Sequence, residues 1–106
     1  MARKGIPKKI SPYVWGNLVL LEAQGVPIRE AYLFGSWAKG TQHRHSDIDI
    51  CIVSRQFRNW EKKVIALGSA RYDDLLQIEP HGYHPSEFLN DNPVAQEIRR
   101  TGIRIQ

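Results

Sequence analysis

A second cysteine is missing from this chain. Cys51 stands alone among 106 residues, so no internal disulfide can form and the chemistry fits a reducing compartment. A long apolar run is missing too. The longest candidate, around Leu18 to Leu21, is interrupted by Glu22 and Gln24 and falls far short of the roughly 20 residues that cross a bilayer. Lys8, Lys9 and Pro12 break up the start, and no long apolar segment follows them, so no secretory leader is expected. There is no internal repeat and no low-complexity segment. His43, His45, His81 and His84 lack further ligands at structural-zinc spacing and read as solvated loop residues. The length gives one domain with a core, with little room for an additional substrate-recognition domain. These absences describe a cytoplasmic domain without membrane segment or disulfide frame.

What is present is ordinary in amount and informative in order. Hydrophobic residues make up 42% and charged residues 25%, with a formal charge of +4. The cations are dispersed: Arg3, Lys4, Lys8 and Lys9 at the start, Lys62 and Lys63 in the middle, Arg99, Arg100 and Arg104 at the end. Dispersal fits a solvated surface, then a polyphosphate or an acidic partner, and argues against a nucleic-acid reader. Residues 1–11 read as a flexible basic N-terminus, and 12–106 as the single domain.

Val14, Trp15, Leu18, Val19 and Leu21 form an apolar helical stripe from Pro12 to Gln24, with Ser11 as N-cap and Gly25 as stop. Ala31 to Phe34 is a short strand, Ser36 to Gly40 one helical turn, and Thr41 to Ser46 a polar loop. From Asp47 to Val53 the alternation is sharp. Ile48, Ile50 and Ile52 face one side and Asp47, Asp49, Cys51 and Val53 the other, which is a strand with its isoleucines in a core. Phe57, Trp60, Val64 and Leu67 predict a helix over 56–67. Tyr72 to Glu79 predicts a third strand closed by Pro80. A helical turn at Ser86 to Asn90 follows. Asn92-Pro93 opens a last helix to Thr101, with Gly102 after it, and Ile103 to Ile105 form an edge strand.

The stretch Gly35-Ser-Trp-Ala-Lys-Gly-Thr-Gln-His-Arg-His-Ser-Asp-Ile-Asp49 concentrates the chemistry. Gly35 and Ser36 follow an apolar strand, where backbone N–H groups at a helix start attract anions. Asp47 and Asp49, at i and i+2, project to one side of a strand. Their mutual repulsion is relieved by a divalent cation, and magnesium suits carboxylates completed by phosphates and water. A Gly-Ser pair alone is a turn, and Asp-x-Asp alone is an exposed strand. Their order and spacing, with a strand on each side, make the combination specific.

This combination resembles the nucleotidyltransferases of the polymerase-beta-like fold. The Gly-Ser-x-Ala-x-Gly form of the first motif, together with the short length, is most similar to the minimal nucleotidyltransferase branch. The specific match runs from Ala31 to Val53, and a weaker one, Ile-Glu-Pro…Ile-Arg-Arg-Thr-Gly-Ile, continues to Ile105. The resemblance implies an α/β fold, a small mixed sheet with helices mainly on one face and the acids on the other. It implies that Gly35 and Ser36 hold the β- and γ-phosphates of a triphosphate, ATP foremost, with Lys39 as a further charge nearby. It implies that Asp47 and Asp49 bind Mg2+, two ions once nucleotide is present. A third carboxylate belongs on a neighbouring strand. Glu79 is the candidate, one methylene longer than the aspartate of many relatives, and Asp73 is the reserve.

The implied reaction is transfer of a nucleoside monophosphate to a hydroxyl of a protein or small molecule, with release of pyrophosphate. The implied partner is a small helical protein of the HEPN class in a toxin–antitoxin pair, in a homo- or hetero-oligomer. The competing expectation is a non-catalytic module that neutralises such a partner by contact and retains a nucleotide site. Arg44 and His45 are further phosphate-contact candidates. Trp15 and Trp60 read as core, Trp37 as packing against the sheet, and Cys51 as a small buried apolar residue.

Overall fold

In the computed structural model of the chain, residues 5–43, 45–69 and 78–106 are described. Four strands form one sheet: β1 (Glu30–Phe34), β2 (Ile48–Val53), β3 (Ile78–Tyr83) and β4 (Ile103–Arg104). Their order across the sheet is β3-β2-β1-β4. β1 is antiparallel to both β2 and β4, while β2 and β3 run parallel. A parallel pair needs a crossover. Here it is supplied by the turn Arg55–Arg58 and the helix α3 (Trp60–Ser69). The remaining helices are α1 (Ser11–Ala23), the single turn α2 (Ser36–Lys39) and α4 (Pro93–Thr101). Among the described residues, no helix is long and apolar enough to cross a membrane.

The isoleucine alternation of β2 sorts the core. Ile48, Ile50 and Ile52 join Ala31, Leu33, Ile78 and Ile103 on one face, covered by Val14, Leu18 and Leu21 of α1 and by Ala66 and Leu67 of α3. The other face carries Tyr32, Cys51 and Val53 under Phe88, Ala95 and Ile98. The helices therefore lie mainly on the isoleucine face, as expected. α4 reaches the Glu30 end of β1 through Arg99, and the Asp49 side chain, at the other end of the β1–β2 pairing, keeps 23% exposure. Ile10, at 1% exposure, also belongs to the first core, so packing reaches back ahead of α1.

Several expectations need correction. Ser11 does not cap α1: it is the first helical residue, and the N-cap is Ile10, without a side-chain bond. Trp15 and Val19 are exposed rather than core. Each sits one position, about 100° of helix rotation, past the residues that face the sheet, Val14 and Leu18. The helix expected over 56–67 is broken in two. Ser54 Oγ accepts from Gln56 N–H and starts a 3-10 turn, and Asn59 Oδ1 then accepts from Lys62 N–H and starts α3 afresh. The restart rotates Trp60 and Val64 to the surface, while Phe57 and Leu67 remain buried.

Pro80 does not end the third strand; it sits inside β3, opposite Ile50. Ser54 N–H donates to the Tyr83 carbonyl. By alternation Glu79, His81 and Tyr83 turn their backbone groups toward β2, and Pro80 turns its nitrogen outward from an edge strand, where no donor is needed. The outward carbonyl of Gly82 accepts from Lys63 Nζ at 3.3 Å. Residues 72–77, including Asp73, lie outside the described residues.

α4 is tied to β1 through charge. Arg99 donates to both carboxylate oxygens of Glu30, at 3.3 and 3.2 Å, and stacks 4.5 Å from the centroid of Phe88. Tyr32 donates to the same carboxylate at 2.7 Å. Burial pushes the Glu30 carboxyl up, but the bonds from Tyr32 and Arg99 outweigh it and hold it below the usual 4.5. The stability this carboxylate contributes is therefore present above the unfolded value and is lost as pH falls through the lower folded value. Urea midpoints taken from pH 7 down to 3 should show a decline below 4.5 that Glu30→Gln removes. At pH 7 the variant should lose about 1.5–3 kcal/mol, the scale of hydrogen bonds to a charged group.

Candidate active site

The site is built where β1 runs into α2. Gly35 bridges them with φ 75 and ψ −154, a conformation that side chains avoid. Its carbonyl accepts from Ala38 N–H and Lys39 N–H. The N–H groups of Ser36 and Trp37, in the first turn, therefore have no partner within the helix. Trp37 anchors the turn: its indole N–H donates to the Ser46 carbonyl at 3.3 Å, and its ring packs against the core as expected. Ser46 in turn accepts from His43 N–H at 2.8 Å. The loop ahead of Asp47 is thus fastened to the turn that carries Ser36.

β2 and β3 bring in the acids. Register pairs Asp49 with Phe34 on one side and with Glu79 on the other. Paired residues share a face, so Glu79 stands beside Asp49 on the uncovered side of the sheet. His81, two residues on, points to the same face, and its Nε2 lies 3.2 Å from Asp49 Oδ1. One ligand atom each from Asp49, Glu79 and His81 falls within 4.8 Å of the others. The Asp49 side chain is 23% exposed and His81 33%, so water and small ligands reach them. On its other side, a Cβ at position 35 would collide with Asp49 Oδ2. The missing side chain of Gly35 makes room for that carboxylate.

Each expected site residue now has a place. Gly35 and Ser36 form the turn, and Asp49 and Glu79 are neighbours in register. Asp47 is half-buried and immediately precedes β2. Lys39 points instead to α4, where its amine lies 4.0 Å from Glu97, with both side chains about half exposed. His43 and His45 are exposed in the loop, and Arg44 lies outside the described residues. His84 caps the turn Pro85–Glu87. Cys51 is buried, and burial pushes its thiol up to about 12, so it stays protonated and unreactive.

His81 was missed. The sequence reading stopped β3 at Pro80 and left His81 in a loop. The signal was available in the alternation Glu79, His81, Tyr83, once proline is allowed on an edge strand.

The Gly35 turn at a helix start lies beside the paired Asp49 and Glu79, an arrangement that suits chemistry on a phosphate. The nucleotidyltransferase domain model matches residues 20–91, and the chain belongs to that family. The protein adenylyltransferase MntA of Shewanella oneidensis is 65% identical over 39 residues, 36% of this chain; the chain spans 28% of that relative's length. A toxin–antitoxin crystal structure with AMP-PNP is similar at 26% identity, over 85% of this chain and 70% of that one, with a TM-score of 0.48. A mutant of the toxin–antitoxin MntA-HpeT is similar at 24% identity, over 84% and 69%, with a TM-score of 0.47.

Proposed function

We propose that this domain transfers AMP from ATP to a hydroxyl of a protein acceptor and releases pyrophosphate. The observation that carries the reading is the register Asp49↔Glu79, one strand away from the Gly35 turn. It sets paired carboxylates next to a cluster of backbone donors on an open face. The nucleotidyltransferase family and the partial identity to a protein adenylyltransferase support the reaction and the choice of AMP.

The carboxylates suit a divalent cation. Asp47, Asp49 and Glu79 would hold it, magnesium being the expected ion and two ions the expected number with nucleotide. When bound, such a cation neutralises phosphate charge and favours in-line displacement. The chain's own groups do the rest. The N–H groups of Ser36 and Trp37 would face the β- and γ-phosphates, and the absent side chain at Gly35 lets the Asp49 carboxylate sit beside them. The acceptor oxygen bonds to the α-phosphorus as the bond to the bridging oxygen breaks and pyrophosphate departs. Glu79, beside Asp49 in register, is the group we assign to take the hydroxyl proton. Lys39 reaches phosphate only by leaving Glu97, an exposed pair that holds it weakly.

The acceptor we infer is a small helical partner of the HEPN class, in a toxin–antitoxin arrangement. Calorimetry should show ATP binding that requires a divalent cation, and the co-expressed partner should gain the mass of one AMP only when Asp47 is intact. A stable complex without mass gain would favour the non-catalytic binding module. Absence of nucleotide binding in the presence of both magnesium and manganese would sink both.

A further inference from the structure

We propose that His81 is a nitrogen ligand of the metal site, and that Asp49, Glu79 and His81 together select a first-row transition-metal dication over magnesium. The proposal deepens the reading above and rests on it for the location of the metal. Three observations carry it. The donor atoms are already gathered, all within 4.8 Å of one another. His81 Nε2 and Asp49 Oδ1 share a hydrogen bond at 3.2 Å, and two donors at right angles on one ion, each at about 2.1 Å, lie about 3 Å apart, so a dication can replace the shared proton with little movement of either side chain. The ring is also held: it meets Phe34 edge-on with centroids 4.9 Å apart, so the imidazole needs little reorganisation to bind. Strand geometry explains the gathering. Glu79 and His81 alternate onto one face of β3, and Asp49 sits in register beside Glu79 on β2.

The chemistry of this donor set differs from that of carboxylates alone. Magnesium demands oxygen ligands and keeps its waters, whereas Mn2+, Co2+ and Zn2+ accept imidazole with rising affinity along the first row. Two carboxylates and one imidazole leave coordination positions open for phosphate oxygens. His81 thus biases the identity of the ion, and the Gly35 turn is unaffected by it.

The experiment uses the full chain with Co2+, Mn2+ and Mg2+ as probes, without and with a non-hydrolysable ATP analogue. Wild type should bind Co2+ at least tenfold more tightly than Mg2+, and Mn2+ bound to it should show nitrogen hyperfine coupling. His81→Asn retains a polar group toward Asp49 but lacks the imidazole. It should lose that coupling, change the visible absorption of bound Co2+ and bring the Co2+/Mg2+ preference down by roughly tenfold. His81→Ala should behave the same way if ligation, and not the contact with Asp49, is what matters. The proposal is overturned if bound Mn2+ shows no nitrogen coupling, if either variant keeps the wild-type preference, or if no metal binds. Nitrogen coupling without binding of the ATP analogue would support the metal site and reject the transferase reading. Analogue binding with Mg2+ but no nitrogen coupling would do the reverse.

Discussion

Asp49→Asn is expected to abolish cation-dependent nucleotide binding without lowering the melting temperature. Asp49 stands beside Glu79 in register, so two carboxylates face each other across neighbouring strands, an arrangement that costs stability when no cation is present. The amide is nearly the same shape and keeps a polar contact to His81 Nε2, now 3.2 Å from Oδ1. Removing the charge relieves the repulsion, so stability should hold or rise slightly. Function should move the other way. A bound cation supplies several kcal/mol of charge stabilisation at a transferring phosphoryl group, so loss of one of its ligands should lower cation binding and rate together. Thermal melts and calorimetry with magnesium and ATP, run on the same preparation, separate the two effects. A variant that binds ATP and cation like wild type would remove Asp49 from the site. A variant that binds neither and also melts early would mean that Asp49 holds the fold.

Gly35→Ala is expected to damage fold and site together. The backbone at position 35 has φ 75 and ψ −154, and such a conformation costs a residue with a side chain about 1–3 kcal/mol. The new methyl would also collide with the Asp49 carboxylate, so either β2 or the turn must shift. A kcal/mol lowers the melting point of a domain this size by about 4–8 °C, which sets the expected drop at roughly 5–20 °C. Gly40→Ala is the control. Gly40 also has positive φ, 76, but nothing lies within 4 Å of an added Cβ, so it bears the conformational cost alone. Nucleotide binding should survive at 40 and vanish at 35. Equal melting points and equal binding for the two variants would show that Asp49 moves aside freely.

The parts of the molecule that sequence made visible are those where a local pattern and a tertiary demand coincide. Ile48, Ile50 and Ile52 alternate without interruption, and a sheet buried on that face accepts the pattern as it stands. Gly35 and Ser36 were recognisable because a turn between a strand and a helix needs such residues. Asn92-Pro93 marked the start of α4 because the Asn92 side chain accepts from Val94 and Ala95 N–H, as an N-cap should. What was not legible depended on the neighbouring strand. Pro80 reads as a stop until it is known to lie on an edge, and that knowledge comes from topology. His81 was lost with it. Trp15 and Trp60 were assigned to the core from their apolarity. Which side of a nearly all-apolar helix meets the sheet is settled by packing, and the restart at Asn59 turns Trp60 outward. Lys39 could not be placed because a long flexible side chain follows whichever acid the fold brings near, here Glu97.

The outer margin of β3 has a consequence for how molecules of this protein treat one another. An unpaired strand edge is a template on which a foreign strand can dock, and stacked edges grow into fibrils. On β3 Pro80 offers no donor, and the Gly82 carbonyl is already occupied by Lys63. Among the described residues, the strand that carries Glu79 and His81 therefore offers fewer outward groups to another backbone. Whatever approaches Glu79 and His81 then meets their side chains over the face of the sheet, and edge-to-edge pairing of copies along β3 is disfavoured.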